Sequence, residues 1–308
     1  MMTSEALTLE EEERVEDAQR VKAKRRRRKR IGTLGTHGTL IIVSAMFILP
    51  IVWMVASSLK TNSAIFVFPP SLFPLHPQFS NYSKATSYIP FGRYFLNTLI
   101  VSVASVVGTL GSGVLAGYAF SIMRWRGRDV TFYIVLATIM LPFPVVMIPL
   151  YYIFTRIHWV GTLLPLIIPP FTGQFITPYF SSALAIFLLR QFFRSLPFDL
   201  VDAARVDGAG HWTILRNIIW PLSRGVILTV GIFTFLSSWT AFIGPLIFLD
   251  KQSTFTLSLG LQQYESVHFT AFNYLMAAST LFCLPVVLLF FVAQRYFMKG
   301  ISFSGLKG

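Results

Sequence analysis

Chemistry in this 308-residue chain would have to start from its ionisable side chains, and their positions argue against an active site. Seven of the 13 acidic residues sit in the first 17 positions, and the others are Asp129, Asp199, Asp202, Asp207, Asp250 and Glu265. His37, His158, His211 and His268 are isolated, so no H-E-x-x-H pair or nucleophile with its base can be assembled. The lone Cys283 excludes an internal disulfide framework or a cysteine metal site, and reads as a small buried hydrophobe. No G-x-x-x-x-G-K-[ST] loop is present to cradle a nucleotide. The expectation is a chain that is not an enzyme, with no catalytic residue, no metal ligand and no cofactor of its own.

One polar interval stands out, Asp199 to Pro221, reading DLVDAARVDGAGHWTILRNIIWP. Asp199 and Asp202, just after Pro197, suit the first turn of a short helix, where acidic groups meet the positive end of the helix dipole. Gly208 and Gly210 permit a tight reversal or a close approach. Trp212, Leu215 and Ile219 then fall at i, i+3, i+7 as the apolar stripe of a second short helix, which Pro221 is expected to end. Two small helices joined at a glycine could seat in a groove of a soluble partner and transmit its motion.

The elements that must hold this interval are apolar. Between charged residues lie six uncharged windows, Ile31–Leu59, Tyr94–Met123, Val130–Thr155, Ile157–Leu189, Gly225–Leu249 and Ser266–Gln294, each of at least 25 residues. A membrane-spanning helix needs roughly 20 apolar residues, and in lipid every backbone polar group must find its partner internally, which favours helices. With 54% hydrophobic and 13% charged residues, the reading is all-α, a polytopic membrane protein with six transmembrane helices.

Of the 26 Lys and Arg residues, 21 fall on one side if the N-terminus is cytoplasmic, leaving Lys60, Lys84, Arg93, Arg156 and Lys251 on the other. That asymmetry places both termini in the cytoplasm. It divides the chain into a charged cytoplasmic tail (1–30), a first span (31–59), an extracytoplasmic loop (60–93), a five-helix core (94–294) containing the cytoplasmic loop 199–221, and a cytoplasmic tail (295–308). The charged lead is too long for a cleavable signal, so the first helix is expected to be retained. Beside a span, the run Lys22–Arg30 reads as a contact with anionic membrane lipid or a stop signal rather than a nucleic-acid site. In the loop, Pro69, Pro70, Pro74 and Pro77 exclude a helix, and Phe66, Phe68 and Phe73 could rest on the membrane surface.

Asp202-Ala203-Ala204-Arg205-Val206-Asp207-Gly208-Ala209, followed by Ile218-Ile219-Trp220-Pro221, closely resembles the E-A-A-x-x-x-G … I-x-L-P signature of the permease subunits of binding-protein-dependent ABC transporters. Asp202 replaces the usual Glu and Trp220 the usual Leu; neither change moves the glycine or the proline. Phe187–Phe193, Trp239–Leu249 and the ending Gln294-Arg295-Tyr296-Phe297 with Lys299-Gly300 extend the resemblance, from Ile41 to the C-terminus, to the carbohydrate-uptake branch. That branch includes the second permease subunit of maltose and glycerol-3-phosphate importers. A fourth span that looks long around Pro169–Ser182, and the long charged tail, depart from the pattern.

The resemblance implies a second permease subunit, cytoplasmic ATP-binding subunits that hold ATP-Mg, an extracytoplasmic solute-binding protein, and the cytoplasmic (inner) membrane of a bacterium or archaeon. Carried over to this chain, the ATPase-coupling residues are Asp202, Ala203, Ala204, Asp207, Gly208, Ala209, Leu215 and Pro221. The segment Asp250–Ala271 would face the delivered sugar, and Ser302–Gly308 the ATPase. For the solute path, hydroxyl and aromatic groups that match a sugar are Ser237, Ser238, Trp239 and Thr240, then Asn97 and Gln174. The competing reading is structural, because Ser, Thr and small residues such as Gly108, Gly111, Gly113 and Gly117 also serve close helix packing in lipid. A channel or secondary carrier working without an ATPase would share the six spans, and so would a non-transporting membrane scaffold. The spans, however, lack the midplane ionisable groups that proton- or sodium-coupled carriers use.

Overall fold

The computed structural model describes residues 33, 35–172, 182–265 and 270–302. Among these the regular structure is helical, and the one β feature is an isolated bridge between Glu265 and Thr270. The described residues fall into two compact units, one up to Ala56 and one from Ser57 onward. The first contains most of α1 (Gly35–Ser58), an uncharged helix long and apolar enough to cross a membrane.

The second unit runs through α2 (Asn62–Ile65), α3 (Ser80–Tyr88), α4 (Phe91–Ser121), α5 (Arg128–Ala137), α6 (Phe143–Arg156), α7 (Leu164–Ile167) and α8 (Ser182–Arg194). It continues with α9 (Phe198–Val206), α10 (His211–Leu222), α11 (Arg224–Trp239), α12 (Ile243–Phe248), α13 (Leu257–Gly260) and α14 (Phe272–Ser302). Three helices, α1, α4 and the Phe272–Gln294 part of α14, pass the test of length and apolarity for a span, and up to five candidates arise if each sharply bent pair counts as one. Gly173–Ser181, including Gln174 and most of the long fourth-window stretch, lie outside the described residues.

The third uncharged window is not one straight helix, because α5 with its 3-10 extension to Met140 meets α6 at 100°. Pro142 supplies the reason. The residue before a proline is pushed out of the helical region, and Leu141 sits at φ −79, ψ 110. The fifth window likewise breaks after α11 and resumes as the short α12.

Helix α4 is the centre of the second unit and packs most extensively on α8 and α11. Its glycines make the approach possible. A Cβ at Gly117 would lie 3.0 Å from Leu189 Cβ, and one at Gly108 would lie 2.8 Å from Pro170 Cβ. Gly113 also faces α8, whereas a Cβ at Gly111 would meet open space, so the packing role expected of Gly111 is not seen here. Ser238 Oγ donates to Ser105 Oγ (3.3 Å), tying α11 to α4 in an otherwise apolar contact.

At the Phe91 end of α4 the segment after Lys60 is more ordered than its prolines predict. Asn81 on α3 donates to the carbonyls of Ser58 and Lys60, both at 2.8 Å, and accepts from Asn273 on α14. Lys60 Nζ donates to the Ser71 carbonyl. Phe66, Phe68 and Phe73 remain well exposed.

Candidate functional site

At the Ser121 end of α4 lies the polar interval, folded as two helices, α9 and α10. Asp199 stands in the first turn of α9, as its charge favours. The reversal after α9 is a complete Schellman motif. The Gly208 amide donates to Arg205 O (3.0 Å) and the Ala209 amide to Ala204 O (2.9 Å). Gly208 sits at φ +80, a left-handed conformation costly to any residue with a Cβ. A Cβ there would meet nothing within 4 Å, so the conformation and not a close approach demands glycine. Ala204 and Ala209, the pair this motif brings together, both pack on the hydrophobic core beneath. Gly210 has ordinary extended angles as the residue capping α10.

Helix α10 departs from expectation twice. Pro221 does not end it; the helix absorbs the missing amide through a π turn over Leu215–Ile219, in which the Trp220 amide reaches back to Leu215 O. The break comes at Ser223, beyond which α11 leaves at 80°. The buried stripe is Ile214, Leu215 and Ile219, while Trp212 is 66% exposed. Residues 214 and 215 share the core face in this register, which turns Trp212 outward.

The inner face of the interval is bound to α4 and α8. Val201, Ile214, Leu215 and Ile219 share one core with Val114, Tyr118, Leu189 and Phe193. Two polar contacts lock the rim. The Tyr118 hydroxyl and His211 Nδ1 are 3.0 Å apart, and Arg205 Nη2 donates to Ile122 O at 3.3 Å. His211 carries no motif, so nothing in the sequence pairs it with a tyrosine 93 positions away. Asp202 pairs with Arg205 (3.1 Å) on an exposed surface, where such pairs contribute little. The outer face presents Val206, 88% exposed, and Trp212 to the surroundings. The arrangement is a two-helix knob packed on α4 and α8 by its inner face, with a mixed polar and apolar outer face.

The residues singled out for a solute path are scattered in role. Trp239 is fully buried, its indole N–H donating to Phe282 O and its ring stacked on Phe235 and Phe282. Asn97 donates to Ser253 O and Phe255 O, both at 3.0 Å, and so fixes the segment after Asp250 onto α4. Ser238 is buried against Ser105, and Ser237 lies one position before it on α11. Thr240 is exposed, with its hydroxyl donating back to Leu236 O.

The geometry can be set beside known proteins. Residues 109–303 match the family model described as "Binding-protein-dependent transport system inner membrane component". The chain is 30% identical over 272 residues to the arabinooligosaccharides transport system permease protein AraQ of Bacillus subtilis, covering 87% of this chain and 93% of that one. It is 32% identical over 269 residues to the diacetylchitobiose uptake system permease protein NgcG of Streptomyces coelicolor, covering 87% and 86%. In fold it is similar to a chain of a bacterial ABC transporter involved in the import of the acidic polysaccharide alginate, with a TM-score of 0.75 at 23% identity over 87% of this chain and 97% of that one.

Proposed function

We propose that this chain, which belongs to the family of binding-protein-dependent transport system inner membrane components, forms half of the path of an ATP-driven importer for a sugar or oligosaccharide. The relatives named for arabinooligosaccharide and diacetylchitobiose uptake support the carbohydrate class. In this reading the chain crosses the inner membrane of a bacterium or archaeon six times with both termini in the cytoplasm, as its uncharged windows and Lys/Arg asymmetry favour. It pairs with a second permease, receives solute from an extracytoplasmic binding protein, and leaves ATP-Mg to separate ATP-binding subunits.

One observation carries the coupling assignment: α9 and α10 are bound to α4 on one face and present Val206 and Trp212 on the other. An ATPase that grips this knob differently in its two states moves α4, and with it α8 and α11, as a body. Asp202, Ala203, Ala204, Asp207, Gly208, Ala209, Leu215 and Pro221 build the knob. Ser237, Ser238, Trp239 and Thr240, with Asn97 and Gln174, are the groups this reading assigns to the solute path, Trp239 through packing.

The test is Gly208→Leu. A side chain forced into the left-handed region costs about 1–2 kcal/mol, which distorts the reversal while leaving the spans intact. The variant is expected in the membrane at normal abundance, with its ATP-binding subunit lost on purification or its solute-stimulated ATP hydrolysis abolished. Unchanged coupling would contradict the assignment.

A further inference from the structure

Between α4 and α5 the chain turns through Arg124, Trp125, Arg126 and Gly127, and beside this turn lies a hollow of about 400 Å³ lined by Arg124, Trp125, Gly127, Arg128, Asp129 and Val130. It opens at the end of the molecule that carries the knob, since Arg205 reaches Ile122 only two residues before Arg124. Its charge is unbalanced. Asp129 is the carboxylate lining it and is already shared by Arg128 (3.1 Å) and by Arg190 (3.2 Å), the latter held over the Phe132 ring and against Phe120 O. Arg124 and Arg126 have neither a hydrogen bond nor an ion pair among the described residues.

The surroundings say what would balance them. The Trp125 indole N–H donates to Ala119 O (3.3 Å), which fixes the ring at the end of α4 while leaving it 41% exposed. A tethered, half-exposed tryptophan beside arginines is the arrangement that sits at headgroup depth, where one end of the ring is apolar and the other wet. In the first turn of α5 the Arg128 and Thr131 amides already donate to Trp125 O and Gly127 O, and Asp129 and Val130, between them, line the same hollow.

We propose that the hollow at the α4–α5 turn binds the phosphate of an anionic phospholipid of the cytoplasmic leaflet, with Arg124 in its lining as the cationic ligand, Arg126 on the same turn adding its charge nearby, and Trp125 against the glycerol and upper acyl region. The assignment of the leaflet rests on the orientation given under Proposed function. Lipid held there sits beside the contact between α4 and the knob and buttresses the end of the helix that the knob drives.

The full chain, reconstituted in vesicles of phosphatidylglycerol and phosphatidylcholine, is photolabelled with a headgroup-reactive phosphatidylglycerol and the labelled peptides are mapped. That separates the turn from the basic N-terminal tail. Each arginine near an anionic surface contributes roughly fivefold, so Arg124→Gln with Arg126→Gln lowers labelling of the 124–130 peptide roughly 25-fold. Arg124→Lys with Arg126→Lys, which keeps the charge and the topology, retains most of it. Labelling confined to the tail, equal labelling by photoreactive phosphatidylcholine, or suppression by millimolar inorganic phosphate would each overturn the proposal. So would a glutamine pair that sheds the ATP-binding subunit with lipid labelling unchanged, which would make the hollow a protein contact. Because labelling does not require ATP hydrolysis, its loss is distinguishable from failure of the coupling assignment, which Gly208→Leu reads.

Discussion

The two ends of α4 hold their neighbouring segments in opposite ways. At the Ser121 end, α9 and α10 are fixed along one face and a rim, with Val206 and Trp212 left outward. At the Phe91 end, the segment after Asp250 is pinned from inside. Asn97 holds two of its carbonyls, Thr98 Oγ1 accepts from the Leu257 amide at 2.7 Å, and Tyr94 lies fully buried against Gly260. Buried polar groups that are all satisfied rigidify a junction. The first junction is therefore a handle with a free face and the second a fixed fitting. Force applied to the handle reaches the fitting along one continuous helix of 31 residues.

Substitutions at the two ends should separate stability from coupling. Gly260→Val drives a branched side chain into the buried Tyr94 ring, and overpacking of this kind costs about 1–3 kcal/mol. The thermal midpoint should fall clearly, read by unfolding in detergent, with the ATP-binding subunit still bound to the folded fraction. If Gly260→Val is as stable as the parent, the fitting is looser than the contacts imply. His211→Ala removes the Tyr118 contact and costs about 1 kcal/mol. Its signature is reduced solute-stimulated ATP hydrolysis with little change in midpoint, and an equal loss at both readouts would make His211 merely structural. The smallest effect belongs to Asp202→Asn, whose exposed pair with Arg205 contributes at most about 1 kcal/mol. A large loss of stability there would mean that Asp202 has a partner beyond Arg205.

Much of the handle is legible in the sequence. The spacing from Asp202 to Gly208 predicts a short helix closed by a glycine, and the Schellman bonds at Gly208 and Ala209 are that prediction in atoms. Local chemistry determines such a turn, so local sequence reveals it. Where the reading failed, something non-local intervened. Pro221 was expected to stop α10, but burial of Ile219 holds the helix together and a π turn accommodates the missing amide. Spacing assigns Trp212 to the apolar stripe, because hydrophobicity alone cannot say whether a side chain meets its own core or another surface.

Counting uncharged residues located the third window but not its 100° bend, which depends on Pro142 and its effect on Leu141. The fitting was the least legible region. Asn97 and Trp239 suit a sugar by type, and their partners within the fold, Ser253, Phe255 and Phe282, lie too far along the chain for local sequence to show.

The central claim is that the outer face of α9 and α10 is where the ATP-binding subunit takes hold. Its direct test compares two single cysteines, each in a Cys283→Ser background and each in the assembled transporter: Val206→Cys on the handle, and Leu75→Cys, 94% exposed in the segment near the Phe91 end. With a short maleimide–photoreactive crosslinker, Val206→Cys should join the ATP-binding subunit and Leu75→Cys should not. A crosslink to that subunit from Leu75→Cys, with none from Val206→Cys, would contradict the account.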